Sequence, residues 1–209
     1  MSKTFCKKIY RKIFPTWIFL LKKEADGADS VLDIGCGYNS PLQYVLAKRM
    51  IGVDFFDDYI KSSEEKKIHS EYIKADITTV NFEPKSYETV LCSEVVEHLK
   101  KGVGLKLLEK MEKWATKKVI VTTPNGFLPQ PQYDGNKFQE HQSGWSVEDF
   151  KRRGYRVYGI NGLKWLKGQQ GVIKFWPKRF WQAISDLTQK IVYWFPSLAF
   201  QLLAVKDIR

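Results

Sequence analysis

Cysteine is scarce in this chain, with Cys6, Cys36 and Cys92 far apart in 209 residues. That excludes a disulfide framework and offers no Cys-x-x-Cys spacing for zinc, so a reducing cytoplasm is the expected compartment. Long apolar runs are also missing. Ile13 to Leu21 is uncharged for nine residues, and Ile191 to Val205 for fifteen, broken by Pro196. A membrane-spanning helix needs about 20 apolar residues, so neither run qualifies. No small-residue cleavage site follows the first run, and a strand pattern already starts at Val31, so it does not read as a signal peptide. Acidic residues are absent from the first 23 positions, which hold seven lysines and arginines, and residues 151–190 hold ten against Asp186 alone. With a net charge of +11, the rest of the chain is net acidic. The basic segments are aromatic too (Phe5, Tyr10, Phe14, Trp17 and Phe19 in the first; Trp165, Phe175, Trp176, Phe180 and Trp181 in the second), a combination suited to an anionic partner.

What is present suits one domain, since 209 residues with 44% apolar content can bury a sizeable core. We expect a basic aromatic segment over residues 1–29 and a single domain over 30–209, with a basic aromatic insertion at about 165–199. Within that domain, Val31-Leu32-Asp33-Ile34 is an apolar strand that runs into Gly35-Cys36-Gly37-Tyr38-Asn39-Ser40, a turn whose glycines permit close approach to a ligand. Leu42, Val45 and Leu46, after Pro41, have the spacing of a helix packing back on the strand. A second strand, Met50 to Val53, ends in Asp54, nineteen residues beyond Gly35, where an acid can accept from two ribose hydroxyls. A third, Tyr72 to Ala75, ends in Asp76-Ile77, and a fourth, Thr89 to Cys92, runs through Ser93 and Glu94 into an expected helix.

These four strand ends, in this order, resemble the class I S-adenosylmethionine (SAM)-dependent methyltransferases. The resemblance implies a Rossmann-like, seven-stranded, mostly parallel α/β sheet with helices on both faces and an antiparallel last strand. It further implies that Asp33, Gly35 and Gly37 hold the methionine end of SAM, that Asp54 meets the ribose, that Asp76 meets the adenine amino group with Ile77 as an apolar cover, that Cys92, Ser93 and Glu94 form the turn beneath the methyl donor, and that Cys36 and Phe55 also bind the cofactor. The chain departs from the common form at Asn39, where glycine is frequent, and at Trp114-Ala115-Thr116-Lys117-Lys118, where Pro-Gly-Gly usually precedes the fifth strand.

Later segments complete the expected sheet: Lys118 to Thr123, Tyr155 to Ile160 and Phe200 to Val205. Ser146 with Asp149 forms a helix-capping pair, and the polar stretch Phe127 to Gly144 has the length of an active-site lid. Trp181 to Phe195 reads as a further helix. His98 and His141 fall where a base could accept a hydroxyl proton near neutral pH. Glu94, Glu97 and His98 are expected on one helix face, and with His141 they make a candidate divalent-metal set. The run Glu94-Val95-Val96-Glu97-His98 with a later His141 is similar to metal-dependent small-RNA 2′-O-methyltransferases and to ubiquinone-pathway O-methyltransferases. The leading expectation is O-methylation of a small molecule or of a sugar in a surface glycan or lipid-linked acceptor. Alternatives are a metal-dependent RNA 2′-O-methyltransferase and a non-catalytic SAM-binding scaffold. Residues 3–23 and 174–195 are expected to contact an anionic membrane surface, which makes the protein peripheral on the inner face of a membrane.

Overall fold

The computed structural model describes residues 16–132 and 137–209. The sheet has the order β3-β2-β1-β4-β5-β7-β6, with β1 Ser30–Ile34, β2 Arg49–Asp54, β3 Glu71–Lys74, β4 Tyr87–Ser93, β5 Ala115–Pro124, β6 Arg156–Leu163 and β7 Ala199–Asp207. Neighbours from β3 through β5 pair in parallel, and β7 runs antiparallel between β5 and β6. This is the α/β class expected from the strand ends.

Burial on both faces explains why the strands read as continuous apolar runs. Leu32, Ile34, Val90, Cys92, Val119 and Val121 point to one face, where Leu107, Leu108, Met111 and Trp114 cover them. Their neighbours Val31, Leu91 and Ile120 point to the other, under Leu20 and Leu21. The covering helices are α1 Trp17–Ala25 on the second face and α3 Lys101–Trp114 on the first; α2 Asp57–Glu65 follows β2, and α4 Val147–Lys151 precedes β6. Among the described residues, no helix is long and apolar enough to cross a membrane.

Two expected helices take another form. After Pro41 the chain makes one 3₁₀ turn, Pro41–Tyr44. The carbonyls that a longer helix would use are taken elsewhere: Tyr44 O by Lys22 Nζ and Leu46 O by the Gly27 amide. After β4, Val96–His98 is again a 3₁₀ turn, and α3 starts only at Lys101. Glu97 O, which would accept within a continuous helix, accepts instead from the Gln142 and Ser143 amides at 2.8 and 3.0 Å.

Part of the N-terminal segment expected at a membrane packs on the sheet instead: Leu20 and Leu21 of α1 are core residues, with Trp17 and Phe19 partly buried against them; residues 3–15, with Cys6, lie outside the described residues. The β6–β7 connection contains α5 Lys178–Leu187 and α6 Gln189–Trp194. Its ends meet in the cross-strand pair Leu163↔Ala199. Because Pro124 pairs with Gln201, that pair lies toward the edge where the parallel strands end.

Candidate functional site

The ends of β1, β2, β3 and β4 surround a cavity of about 670 Å³. Its wall contains Asp33, Gly35, Cys36, Gly37, Asp54, Phe55, Asp76, Ile77, Ser93 and Glu94. Trp17, expected in a membrane segment, is also in the wall, as are Phe138, Gln139 and Gln142 from the stretch after β5. Phe138 meets Phe55 edge-on with ring centroids 5.7 Å apart. Tyr133, Asp134, Gly135 and Asn136 of that stretch lie outside the described residues.

The first turn is shaped by sterics. Gly35 has φ +70°, and a Cβ there would stand 2.6 Å from Val95 Cγ2. Gly37, at φ +56°, has open space where a Cβ would be, and its amide donates to Asp54 Oδ2 at 2.9 Å. Asp54 Oδ1 accepts from the Phe56 amide at 2.9 Å. Burial raises the Asp54 carboxyl above its usual range, against the pull of these backbone donors. Cys36 lines the turn, but its sulfur packs toward Gly52, and burial beside Asp33 and Asp54 pushes the thiol far up, so it stays protonated. At the β3 end, Asp76 Oδ1 accepts from both the amide and the hydroxyl of Thr78, at 2.8 and 2.7 Å. Its carboxylate shapes the local turn while it borders the cavity.

Sequence reasoning missed His69. Asp33 is fully buried, and its Oδ2 accepts from Ser40 Oγ at 2.5 Å and from His69 Nε2 at 2.9 Å. His69 Nδ1 lies 3.3 Å from Ser63 Oγ, which lies 3.0 Å from Tyr72 OH. A neutral imidazole protonated on Nε2 lets each group in this chain donate to the next. The clue was Gly52 in the middle of β2, a position where glycine often marks close approach. A Cβ there would stand 2.9 Å from Cys36 Sγ and 3.1 Å from His69 Nδ1.

At the β4 end, Glu94 adopts φ +55°, in the left-handed region. That turn separates it from Glu97 and His98, so the expected common helix face is not formed. Glu94 Oε2 accepts from Gln201 Nε2 at 2.5 Å, and Gln201 in turn accepts from Asn161 Nδ2. Burial pushes Glu94 up to about 7, against hydrogen bonds from Thr122 and Gln201. Buried Glu97 accepts from Thr123 Oγ1 at 2.9 Å, and burial, then the Glu94 charge, raises its carboxyl well above the usual range.

His98 borders the cavity, whereas His141 stands behind it, with ring centroids 4.7 Å apart. Nδ1 of His98 donates to Glu140 O at 3.3 Å and Nδ1 of His141 to Leu128 O at 2.6 Å. Burial and then His141 lower the His98 pKa to about 4; burial also lowers that of His141. Both rings are therefore neutral at physiological pH. One donor atom each from Glu97, His98 and His141 lies within 4.8 Å of the other two. Of the four residues expected around a metal, Glu94 stands outside this group.

A parallel sheet with an antiparallel penultimate position, and a cavity ringed by acids and glycines at the ends of its first four strands, defines a Rossmann-like methyltransferase fold. More narrowly, residues 32–126 match the family model described as a methyltransferase domain. An uncharacterized protein of Methanocaldococcus jannaschii is 26% identical over 155 residues, which are 74% of this chain and 67% of the relative. Solved structures share the fold at low identity. Coclaurine N-methyltransferase bound to N-methylheliamine and S-adenosylhomocysteine (SAH) is 17% identical, with TM-score 0.58 over 91% of this chain and 71% of that one. A SAM-dependent methyltransferase from Archaeoglobus fulgidus is 18% identical, with TM-score 0.53 over 99% and 100%. Magnesium protoporphyrin IX methyltransferase from Synechocystis with bound SAM is 14% identical, with TM-score 0.51 over 92% and 75%.

Proposed function

We propose that the protein transfers the methyl group of SAM to an oxygen of a small molecule, or of a sugar in a surface glycan or lipid-linked acceptor. The observation that carries this reading is that, buried Cys92 apart, every residue assigned to SAM by resemblance borders one cavity, of a size that suits a small-molecule ligand. In this reading the Gly35 to Gly37 backbone and Asp33 receive the methionine end, Asp54 and Phe55 the ribose, and Asp76 with Ile77 the adenine. Ser93 and Glu94 lie beneath the sulfonium. Methyl transfer is an in-line displacement, so much of the rate can come from holding the two reactants in line.

The acceptor proton needs a base only if the hydroxyl is not already ionised. His98, with a pKa near 4, is neutral and able to accept, though weakly basic; Glu94, near 7, matches neutral pH better. His141 stands behind His98 and acts in this reading by fixing its ring.

A second reading is favoured by the meeting of Glu97, His98 and His141. Both imidazoles donate through Nδ1 to backbone carbonyls, the arrangement that orients a histidine for metal ligation through its other nitrogen. These residues fit a divalent ion such as Mg²⁺ or Mn²⁺. When bound, such an ion would supply charge stabilisation to an acceptor hydroxylate. In the reading as a 2′-O-methyltransferase of RNA, these three of the four expected residues would hold the ion, without Glu94.

Calorimetric titration of SAM and SAH, with and without Mg²⁺ or Mn²⁺, tests both readings. Micromolar SAM binding indifferent to metal supports the first, and a metal-binding isotherm abolished by His141→Ala supports the second. Absence of SAM binding under every condition refutes methyl transfer and the SAM-binding scaffold alike.

A further inference from the structure

We propose that the outer face of the β6–β7 connection is a docking surface for an anionic lipid bilayer. Its helices are attached on one side only. Ser185, Gln189 and Val192, spaced by four and three residues, are buried against the glycines of β6: Gly162 lies under Ser185 and Gly159 under Val192. Gln189 Nε2 donates to Gly159 O at 3.0 Å, and Gln189 Oε1 accepts from the Gly162 amide at 3.2 Å. Thr188, in a right-handed helical conformation, joins α5 to α6, so one helical path continues through both.

The opposite face of that path is apolar and bare. Phe180, Leu187, Ile191 and Trp194 follow one another at spacings of seven, four and three residues, and all are exposed, Trp194 by 72%. Phe195 next to it is 62% exposed, and Trp176 just before α5 is 85% exposed. Single exposed apolar side chains are ordinary; a continuous stripe of large ones marks an interaction surface.

The charges choose the partner. Lys174, Lys178, Arg179 and Lys190 are exposed in the same segment, and none forms an ion pair among the described residues. The one acid, Asp186, accepts from Gln182. A second copy of this face would bring the same unpaired cations. An anionic bilayer accommodates both halves of the surface: tryptophan at headgroup depth, phenylalanine, leucine and isoleucine at the acyl boundary, and lysine and arginine against lipid phosphates. Neither helix can span, so attachment is in the plane of the surface. The segment leaves and rejoins the sheet toward the edge where the cavity lies, which would bring that edge close to lipid. The surface is argued without reference to methyl transfer and stands apart from that reading.

The test is co-sedimentation of the full chain with vesicles of phosphatidylcholine alone and of equimolar phosphatidylcholine and phosphatidylglycerol. The protein should pellet with the mixed vesicles and be released by salt. Residues 1–15 carry cations of their own, so the decisive comparison is with the Leu187→Ser/Trp194→Ser double variant. It should lose about tenfold or more in vesicle affinity, with SAM affinity and melting temperature as in the parent, because both side chains are exposed. Equal vesicle binding by parent and variant would overturn the proposal. So would a parent that ignores vesicles and dimerises through this face in sedimentation velocity.

Discussion

Removing the His69 imidazole would leave Asp33 Oδ2 with Ser40 alone, in a place closed to water. An acceptor stripped of a buried partner costs about 1–3 kcal/mol. His69→Ala should therefore lower unfolding free energy by that amount in urea titration and weaken SAM binding in calorimetry. Ser63→Ala should be milder, because His69 keeps its bond to Asp33. Unchanged SAM affinity in His69→Ala would mean that the Asp33 carboxylate is not part of the cofactor site. The acids at the strand ends were legible in sequence because each closes a short apolar run. His69 was not, since it stands 36 positions from Asp33 and only the folded sheet brings the two together.

At the scale of single elements, the strands were far more legible than the turns between them. A buried strand announces itself by composition, whereas the helices expected after Pro41 and after Ser93 were shortened by distant groups that took their carbonyls: Lys22 and Gly27 in one case, Gln142 and Ser143 in the other. The start of α4 was readable because its signal is local. Ser146 Oγ accepts from the Asp149 amide and Asp149 accepts back from Ser146, forming a capping box. Asp149 also receives Lys101 Nζ at 2.7 Å. Burial alone would raise the Asp149 carboxyl, but the hydrogen bonds from Lys101 and Ser146 outweigh it and hold it below the usual carboxylate range. A depressed folded-state pKa adds stability that is present above the unfolded value and lost as pH falls through the folded one. Asp149→Asn should thus lower the melting temperature at neutral pH, and the gap to the parent should close in acid. A gap that persists under strongly acidic conditions would assign the effect to packing instead of charge.

Across the whole molecule, the cavity is assembled from α1, four strand ends and the stretch after β5, so a ligand there would tie together parts far apart in sequence. Binding to the folded state alone stabilises it by mass action, about 2.7 kcal/mol when free ligand is 100 times its dissociation constant. SAM and SAH should both raise the melting temperature, and the Asp54→Ala variant should show a smaller rise at equal concentration. A rise of the same size in that variant would remove Asp54 from the site. Fold class was legible at this scale because four strand ends agreed, while the role of Trp17 was not, since its aromatic, basic surroundings in sequence resemble a membrane segment.

The connection between β6 and β7 begins and ends in one cross-strand pair, Leu163↔Ala199. A segment that enters and leaves through a single rung can be exchanged for another without re-threading the sheet, so its outer surface is free to differ while the sheet stays the same. The exchange is constrained by one requirement. Gln189 and Thr188 satisfy backbone groups of Gly159, Gly162 and Leu163 on the outermost strand. A replacement lacking such side chains would leave that strand adhesive toward other chains.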